Sequence, residues 1–416
     1  MSRKQGVAQT LAELVERVLG TGLPVGIRAW DGSEAGPTDG PVAVVRNRRA
    51  LRRLLWDPNE LGLARAYVSG DLDVDGDLGD GLRQFWALAR EKKLRPKLSF
   101  SDRVGLVTSA ARLGVLGPRP KAPPEEARLR GRLHTRLRDR AAIAHHYDLS
   151  NEFYSKVLDP HMAYSSGYWT SDDPGYTLTD AQRDKLDQVC RKLELRPGMR
   201  LLDVGCGWGS MILHAAEHYG VHATGITLSA QQREFIEARI KERGLKDKVT
   251  VRLQDYRELS DGPYDAVSSI EMGEHVGAGN YPVYTATLYR AVKPGGRVLI
   301  QQMSRGKVAP GGGAFIEGYV APDMTMSPVG TTVNLIEEAG FEVRDVEAMR
   351  EHYVRTVDVW AQTIEDRWDE LVRLVGEGQA RVWRLYMAGG SLAFEENRMG
   401  VNQILSVRPA PIPAVV

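Results

Sequence analysis

The sequence has little of what marks extracellular or membrane-spanning proteins. Its 416 residues include two cysteines, Cys190 and Cys206, too few for a disulfide scaffold, which favours a cytoplasmic protein. No run approaches the roughly 18 to 20 apolar residues of a membrane span, and the N-terminal stretch lacks the continuous apolar core of a signal peptide. A net charge of +1 gives no global attraction to anionic partners. We therefore expect any handling of lipid to take place at the membrane surface.

Three zones of the chain differ in pattern. Residues 1–117 mix short apolar runs with turns, residues 118–140 form a proline-rich linker followed by an arginine-rich helix, and residues 141–416 alternate strands and helices. The arginine run fits either a solvated helix face or a contact with lipid phosphate or nucleic acid. Because it has no interleaved aromatic residues, we expect no nucleic-acid partner. The run comprises Arg128, Arg130, Arg132, Arg136, Arg138 and Arg140.

The third zone predicts a doubly wound α/β fold. Apolar segments at regular intervals are separated by amphipathic segments such as residues 229–244, an alternation typical of a parallel sheet with helices on both faces. The predicted strands are residues 200–206, 221–227, 249–254, 264–270 and 297–303.

A glycine-rich turn follows the first of these strands. In "LLDVGCGWGS" (201–210), Asp203 ends an apolar strand and glycines recur at every second position before a helix. Such a turn allows close backbone approach to a ligand and could belong to a dinucleotide fold, but that fold leaves two residues before its third glycine. The spacing here resembles the first motif of S-adenosylmethionine-dependent methyltransferases.

The ends of the next two strands carry further polar candidates. Many methyltransferases have an acid after the second strand to hold the ribose hydroxyls, whereas this chain lacks one and offers Thr227 and Gln232. After the third strand, Asp255 and Tyr256 are suited to the adenine amino group and ring face. The missing acid argues against a generic methyltransferase and indicates a subfamily.

Four segments indicate which subfamily. "AHHYDLSNEFYSKVLDPHMAYSSGYW" (144–169), the glycine turn, "GITLSAQQ" (225–232) and "EHVG" (274–277) together closely resemble cyclopropane fatty acid synthases. The resemblance covers essentially the whole chain. It implies a Rossmann-like methyltransferase domain preceded by a smaller α+β, lipid-binding-like domain of the phospholipid-acting members.

The resemblance also implies a reaction and partners. S-adenosylmethionine would methylate the cis double bond of an unsaturated phospholipid acyl chain through a carbocation, at the cytoplasmic face of the membrane. Similarity to actinobacterial members leaves two products open, a cyclopropane and a 10-methylene branch. A homodimer, and a separate reductase that acts on a methylene product, are compatible with it.

A bound bicarbonate ion is the base in family members with a known site, and its binding positions map onto this chain one at a time. Glu274 and Tyr353 match the family acid and tyrosine. Ser166 replaces the usual cysteine, Gln301 the usual histidine and Met303 the usual isoleucine. Gln301 is the largest departure, because an amide cannot be protonated near neutral pH as histidine can.

Cofactor positions transfer in the same way. Tyr164 and Ser165 match a pair that reaches over the methionine moiety, and Gly205, Cys206 and Gly207 match the glycine loop, whose acidic lead-in is Asp203. Cys206 is expected to pack rather than to react, because direct methyl transfer needs no covalent enzyme intermediate.

The remaining candidates receive supporting roles. Glu271 is expected to hold a loop or helix end, and His275 to orient its neighbours or cap the helix. The cluster at 145–148 has metal-ligand residue types but no partners at ligand spacing, so we expect no metal. In the family, residues 304–330 cover the acyl channel; the candidates that line it are Phe315, Ile316, Tyr319, Met324 and Met326.

Two other functions compete with the methyltransferase hypothesis. The replacements at Ser166 and Gln301 would also fit a lipid-binding protein with a catalytically degenerate methyltransferase domain. A methyltransferase that acts on a small molecule is weaker, because the N-terminal domain and the arginine run argue against it.

Overall fold

The structure, a computed structural model, describes residues 6–91, 108–127, 135, 138, 150–306 and 313–411. Its strands are β1 (Gly26–Ala29), β2 (Glu34–Ala35), β3 (Val42–Val45), β4 (Leu72–Asp75), β5 (Arg200–Val204), β6 (His222–Thr227), β7 (Val249–Leu253), β8 (Tyr264–Ile270), β9 (Val292–Arg305), β10 (Glu342–Ala348) and β11 (Met399–Val407). Its main helices are α1 (Val7–Leu19), α2 (Arg48–Trp56), α3 (Glu60–Val68), α4 (Leu78–Glu91), α5 (Asn151–Val157), α6 (Leu178–Lys192), α7 (Ser210–His218), α8 (Ala230–Glu242), α9 (Tyr281–Ala291), α10 (Val329–Glu338), α11 (Arg350–Asp366), α12 (Trp368–Val375) and α13 (Glu377–Glu395).

The described residues fall into two units. One contains the residues up to Glu126 together with Gly376–Leu392, and the other contains those from Ala127 to Val375 together with those from Ala393 onward. The sequence analysis placed all of 141–416 in one domain, whereas the structure groups most of α13 with the N-terminal unit. Charge explains this grouping, because Arg381 of α13 pairs with the buried Asp73 of β4 over 2.9 Å.

The smaller unit is an α+β layer. Its four strands lie in the order β2-β1-β3-β4, and α1 and α3 bury small apolar residues against them. β3 has the sequence "VAVV", and α2 is an amphipathic helix in which Ala50 and Arg53 are buried. Asn47 caps α2 by accepting a hydrogen bond from the backbone N–H of Arg49, which fixes where that helix begins.

The larger unit contains a seven-stranded mixed sheet in the order β10-β11-β9-β8-β5-β6-β7. Strands β5 to β9 are mutually parallel, and β11 returns antiparallel to β9. The predicted doubly wound α/β fold is confirmed, and all five predicted strands are present. β10 was not predicted, because its sequence "EVRDVEA" is mostly polar and exposed at the sheet edge.

The strand order fixes where a ligand can approach. The chain runs outward from β5 through β6 to β7 and then restarts on the other side of β5 with β8 and β9. Ligands of such sheets bind beyond the carboxyl ends of the strands, at the point where the order reverses. Here that point lies between the ends of β5 and β8, where Asp203 and Glu271 stand. In the part of the chain that the structure describes, no helix combines the length and apolarity needed to cross a bilayer.

Candidate active site

The glycine turn after β5 is a strained, closely packed loop. Gly205, Gly207 and Gly209 have φ angles of 81°, 52° and 85°, a region that favours glycine. A side chain at Gly205 would lie 2.6 Å from Cγ of Met272, whereas one at Gly207 would meet nothing within 4 Å. The loop therefore packs tightly on one side and leaves open space at Gly207, as a loop that receives a ligand requires.

Asp203 and Ser268 join the two strands that flank the reversal point. The hydroxyl of Ser268 donates to Oδ1 of Asp203 over 2.7 Å. Burial raises the pKa of Asp203 to about 6, although this hydrogen bond and the positive charge of Lys185 oppose the rise. Cys206 packs beside Gly225, and burial raises the pKa of its thiol well above the usual range, which agrees with a packing role.

Polar groups at the ends of β6 and β7 form two local networks. Thr227 donates to Oε1 of Gln232 over 2.7 Å, and Ser229 caps α8 through the backbone N–H of Gln232. Asp255 accepts two hydrogen bonds from the Arg257 guanidinium, at 2.9 and 2.6 Å. The ring of Tyr256 is buried and contacts Tyr284 edge-to-face. The structure thus keeps the predicted ribose-side and adenine-side residues at the cofactor edge of the sheet, with Arg257 as an additional partner.

A buried lysine supports the segment with Tyr164 and Ser165. Nζ of Lys185, on α6, donates to Oγ of Ser165 over 2.8 Å. Burial lowers the pKa of Lys185 to about 8, while the negative charges of Glu271, Asp159 and Asp203 oppose the decrease. Lys185 was not predicted as a site residue, because the helical pattern of α6 does not reveal that the side chain of this lysine points into the core.

The carboxylate of Glu271 collects three hydrogen bonds. Its Oε1 accepts from the backbone N–H of Ser166 at 2.9 Å and from Nε2 of Gln301 at 3.0 Å. Its Oε2 accepts from the phenol of Tyr353 at 2.6 Å. The family resemblance implies that these three residues, together with Glu274, bind a bicarbonate ion, and that Glu271 has a supporting role. The structure instead gives their hydrogen bonds to Glu271.

The amide of Gln301 is held in a defined orientation. Its Oε1 accepts from Nε2 of Gln403 at 3.0 Å, which directs its own NH2 group at Glu271. Gln301 and Gln403 are direct partners across the β9–β11 ladder. Gln403 was missed by the sequence analysis because only the strand register, set by residues far away in the chain, brings it to Gln301.

Glu274 lies one turn beyond Glu271, in the short 3-10 helix Gly273–His275. Its side chain is buried, and among the residues that the structure describes no group donates to either carboxylate oxygen with good hydrogen-bond geometry, although two backbone N–H groups lie near it. Burial raises the pKa of Glu274 well above its usual range, the charge of Glu271 raises it further, and the backbone N–H groups of Glu274 and Met303 oppose the increase. Burial also raises the pKa of Glu271, but its three hydrogen bonds and Lys185 counteract this. The three hydrogen bonds and Lys185 therefore favour the ionised form of Glu271, whereas burial and the neighbouring charge favour the neutral form of Glu274.

A row of aromatic rings connects the glycine turn to this carboxylate pair. Consecutive ring centroids are 4.4 to 6.1 Å apart. The rings present π-faces in a water-poor environment, a setting that stabilises positive charge. In order, they belong to Trp208, Tyr154, Tyr164, Trp360, Tyr353 and Phe394.

The segment before α10 lies against the carboxylate pair. The backbone N–H of Thr325 donates to the carbonyl of Glu274 over 2.8 Å, and Arg305 donates to the carbonyl of Met326 over 2.7 Å. Phe315, Tyr319 and Met326 are buried, while Ile316 and Met324 are half-buried. Of the predicted acyl-covering residues, Met324 and Met326 are therefore the chain neighbours of the residue that contacts the Glu274 backbone.

One arginine of the predicted anion-binding run is already paired. Arg138 donates to both carboxylate oxygens of Asp323, at 2.6 and 2.8 Å. It anchors the segment that precedes α10 rather than facing an external anion. The other five arginines of the run, and the cluster at 145–148, lie outside the described residues. His275 is half-buried, and its removal from water lowers the pKa of its imidazole to about 4, which keeps it neutral near pH 7.

Known proteins resemble this chain over most of its length. Residues 134–404 match the family described as mycolic acid cyclopropane synthetase. The chain is 39% identical to the probable fatty acid methyltransferase Rv3720 of Mycobacterium tuberculosis, covering 97% of this chain and 95% of that protein. It is 31% identical to the cyclopropane-fatty-acyl-phospholipid synthase of Escherichia coli, covering 88% and 87%.

A solved structure resembles the larger part of the chain. The mycolic acid cyclopropane synthase CmaA1, complexed with SAH and CTAB, has a TM-score of 0.61 and 28% identity, covering 64% of this chain and 98% of that one. The ligand in that complex is the product form of the predicted cofactor. The site residues described above fit such a group, because the open glycine turn and the polar ends of β6 and β7 share one edge of the sheet.

Proposed function

This chain belongs to the cyclopropane fatty acid synthase family of S-adenosylmethionine-dependent methyltransferases, and from that premise we propose that it methylates the cis double bond of an unsaturated phospholipid acyl chain. The observation that carries the proposal is the position of the Glu271–Glu274 pair. It stands at the carboxyl end of β8, beside the cofactor turn and beneath the apolar segment that precedes α10. A methyl donor and an acyl chain can meet there, next to a carboxylate.

The residues around the glycine turn would hold the cofactor. Gly205 and Gly207 would receive its methionine part, and the amide of Gln232, whose oxygen is engaged by Thr227, would donate to the ribose. Asp255 and the Tyr256 backbone would face the adenine. Ser165, held by Lys185, would close over the sulfur. When bound, S-adenosylmethionine supplies an electrophilic sulfonium methyl group.

The chain's own residues would then stabilise the positive charge that forms on the lipid. An alkene that accepts a methyl cation leaves positive charge on the neighbouring carbon, which water would trap. The buried rings of Trp360 and Tyr353, with the half-buried ring of Tyr164 beside them, would exclude water and offer π-faces to that charge. The anionic carboxylate of Glu271 stabilises it further, because opposite charges attract strongly in a water-poor site.

We further propose that the smaller unit brings the enzyme to anionic lipid. Trp56 and Leu116 are 53% and 54% exposed, and the Trp56 indole donates to the carbonyl of Gly117, so the end of α2 and the segment that contains Leu116 would form one apolar surface. Exposed Arg48 begins α2, and exposed Arg119, which pairs with Asp57, follows Gly117 by two residues. Apolar side chains ringed by cations match a membrane surface with negative headgroups. This would place the enzyme at the cytoplasmic face as a peripheral protein.

The rival function is lipid binding without catalysis. The replacement of the family histidine by Gln301 motivates it, but Gln301 is hydrogen-bonded on both sides within an intact network. A network in which each donor has an acceptor favours a working site over a degenerate one. A homodimer, and a reductase that would consume a methylene product, remain predictions of the family resemblance.

The test uses the purified full chain with S-adenosylmethionine and vesicles of oleoyl phosphatidylglycerol. Fatty acids released from the lipid are analysed by mass. We expect chains heavier by one CH2 group, and their absence under varied pH and salt would refute the proposal. Catalytic hydrogenation of the product under mild conditions separates the two outcomes, because a methylene branch takes up hydrogen and becomes a methyl branch while a cyclopropane persists.

A further inference from the structure

The groups expected to bind bicarbonate are already engaged by a protein carboxylate. The Ser166 N–H, the Gln301 amide and the Tyr353 phenol each donate to Glu271, at 2.9, 3.0 and 2.6 Å. Bicarbonate and a carboxylate are both planar anions that accept hydrogen bonds through two oxygens. A second anion in this place would have to displace Glu271 and would share a buried space with its charge. The residues present therefore do not fit a bound bicarbonate.

We propose that the carboxylate of Glu271 takes the place of bicarbonate and is itself the general base of the reaction, an inference that rests on the proposed function. The replacements at Ser166 and Gln301 then have a common explanation. They do not mark a degraded anion site, because the site holds an anion that is covalently part of the chain. The Ser166 N–H, the Gln301 amide and the Tyr353 phenol together hold the two oxygens of the Glu271 carboxylate in place.

The proton step balances with Glu271 alone. The methylated acyl chain carries one positive charge and must lose one proton from the new methyl group. That proton passes to an oxygen of Glu271, and the electron pair of the broken C–H bond forms the third bond of a cyclopropane ring. If a hydride first shifts from the methylated carbon to its cationic neighbour, the same electron pair forms an exocyclic double bond. The neutral acid then releases its proton to solvent after the product leaves.

The groups around Glu271 favour its ionised form, which is the form that can accept a proton. Lys185 contributes a positive charge, and Tyr353 and Gln301 contribute hydrogen bonds that favour the ionised form. For Glu274, the other acid that faces it, burial and the charge of Glu271 raise the pKa well above the usual range. The anion is thus stabilised without being neutralised by a direct ion pair, and it remains able to accept a proton.

The backbone at this position makes a clean test available. Glu271 has a φ of 50°, in the left-handed region that favours glycine. Glu271→Gly should therefore fold, and it would vacate the space between the three donors. Glu271→Gln is the matched variant that fills the same space without a base. Binding of S-adenosylhomocysteine by calorimetry shows that each variant is folded.

The experiment compares the wild type and both variants in buffer freed of carbon dioxide and in buffer with added sodium bicarbonate. The wild type should form product equally in both, whereas Glu271→Gln should lose more than about a hundredfold in turnover in both. Glu271→Gly should be inactive without bicarbonate and gain activity when bicarbonate or formate is added. Titration of 13C-labelled bicarbonate, followed by NMR, should show binding to Glu271→Gly and none to the wild type.

Two results would overturn the inference while leaving the proposed function intact. One is a wild-type enzyme whose turnover needs added bicarbonate, and the other is a Glu271→Gln variant with wild-type turnover. Bicarbonate binding to the wild type would overturn it without any assay of activity. A wild type that methylates no lipid in either buffer would instead refute the proposed function.

Discussion

The phenol of Tyr353 donates to Oε2 of Glu271 over 2.6 Å, and the two residues are 82 positions apart in the chain. Tyr353 lies on the first turn of α11 and Glu271 directly follows β8. The contact joins the end of β8, in the parallel part of the sheet, to α11, the helix that follows the antiparallel edge strand β10. It also links the aromatic row to the one carboxylate that the surrounding donors keep ionised.

Removing this phenol should slow the reaction. A hydrogen bond to a charged group contributes about 1.5 to 3 kcal/mol, so Tyr353→Phe should lower kcat about ten- to a hundredfold with little change in KM for lipid. The matched control is Tyr281→Phe, which removes an equally short buried hydrogen bond, to Gln302. Steady-state kinetics with vesicles measures both variants. Equal losses of kcat would mean that the effect reflects packing and not the Glu271 contact.

The Gln301 amide should set the acid side of the pH profile. Its hydrogen bond lowers the pKa of Glu271, so Gln301→Leu should raise that pKa. Because a base acts only when it is deprotonated, the acid limb of kcat against pH should move to higher pH. Gln403→Leu should move it in the same direction by a smaller amount, since it only frees the amide to rotate. A profile that drops uniformly at every pH would show a loss of structure instead.

The two acids of the pair should respond differently to amidation. Burial and the charge of Glu271 raise the pKa of Glu274 well above its usual range, so Glu274→Gln should replace one neutral group by another and leave the acid limb in place. Its turnover should exceed that of Glu271→Gln by at least about tenfold. If Glu274 instead serves an external anion, as the family resemblance implies, Glu274→Gln will be the more damaging change. Single-turnover rates of the two variants at one pH decide between these roles.

Two substitutions in the glycine turn should distinguish an effect on stability from an effect on cofactor binding. Gly205→Ala has both a left-handed φ and a clash with Met272, and should destabilise the fold by about 2 kcal/mol or more. Gly207→Ala meets no atom within 4 Å and should cost only about 1 kcal/mol. Gly207→Ala should nevertheless weaken S-adenosylmethionine binding out of proportion to that cost. Urea unfolding and calorimetry test the two halves of this statement; unchanged affinity in Gly207→Ala would place the cofactor elsewhere.

The apolar surface around Trp56 should control membrane association. Burial of a large apolar side chain contributes about 1.5 to 3 kcal/mol, so Trp56→Ser should weaken binding to anionic vesicles about tenfold or more. The control is Val346→Ser, which changes a similarly exposed residue, at 42%, on β10 of the other unit. Vesicle cosedimentation at low and high salt measures both. The proposal fails if the two variants bind vesicles equally well.

The sequence predicts much of this molecule because local signals agree. The five parallel strands and the glycine turn are predicted from apolar runs and from turn-forming residues, both of which are patterns over a few neighbouring positions. The pairing of Arg138 with Asp323, by contrast, joins residues 185 positions apart. No local pattern contains that information, so the arginine was interpreted as part of an anion-binding run.

The division of roles between Glu271 and Glu274 needed the structure. Both lie in "EMGE", and a resemblance can only assign the position that matches the family acid. Which carboxylate receives the donors depends on the backbone: the left-handed conformation at Glu271 and the β9–β11 register that orients Gln301. A hint was nevertheless present, because the unusual Gln301 and the extra acid at position 271 occur in the same chain and compensate for each other.

The central claim is best tested by one comparison of fatty acid products. Wild type and Glu271→Gln are incubated with S-adenosylmethionine and oleoyl phospholipid vesicles in carbon dioxide-free buffer, and carbon-methylated chains are quantified by mass spectrometry. The account predicts methylated chains with the wild type and almost none with Glu271→Gln, while both bind the cofactor equally. Equal yields from the two proteins, or no methylated chain from the wild type unless bicarbonate is added, would contradict it.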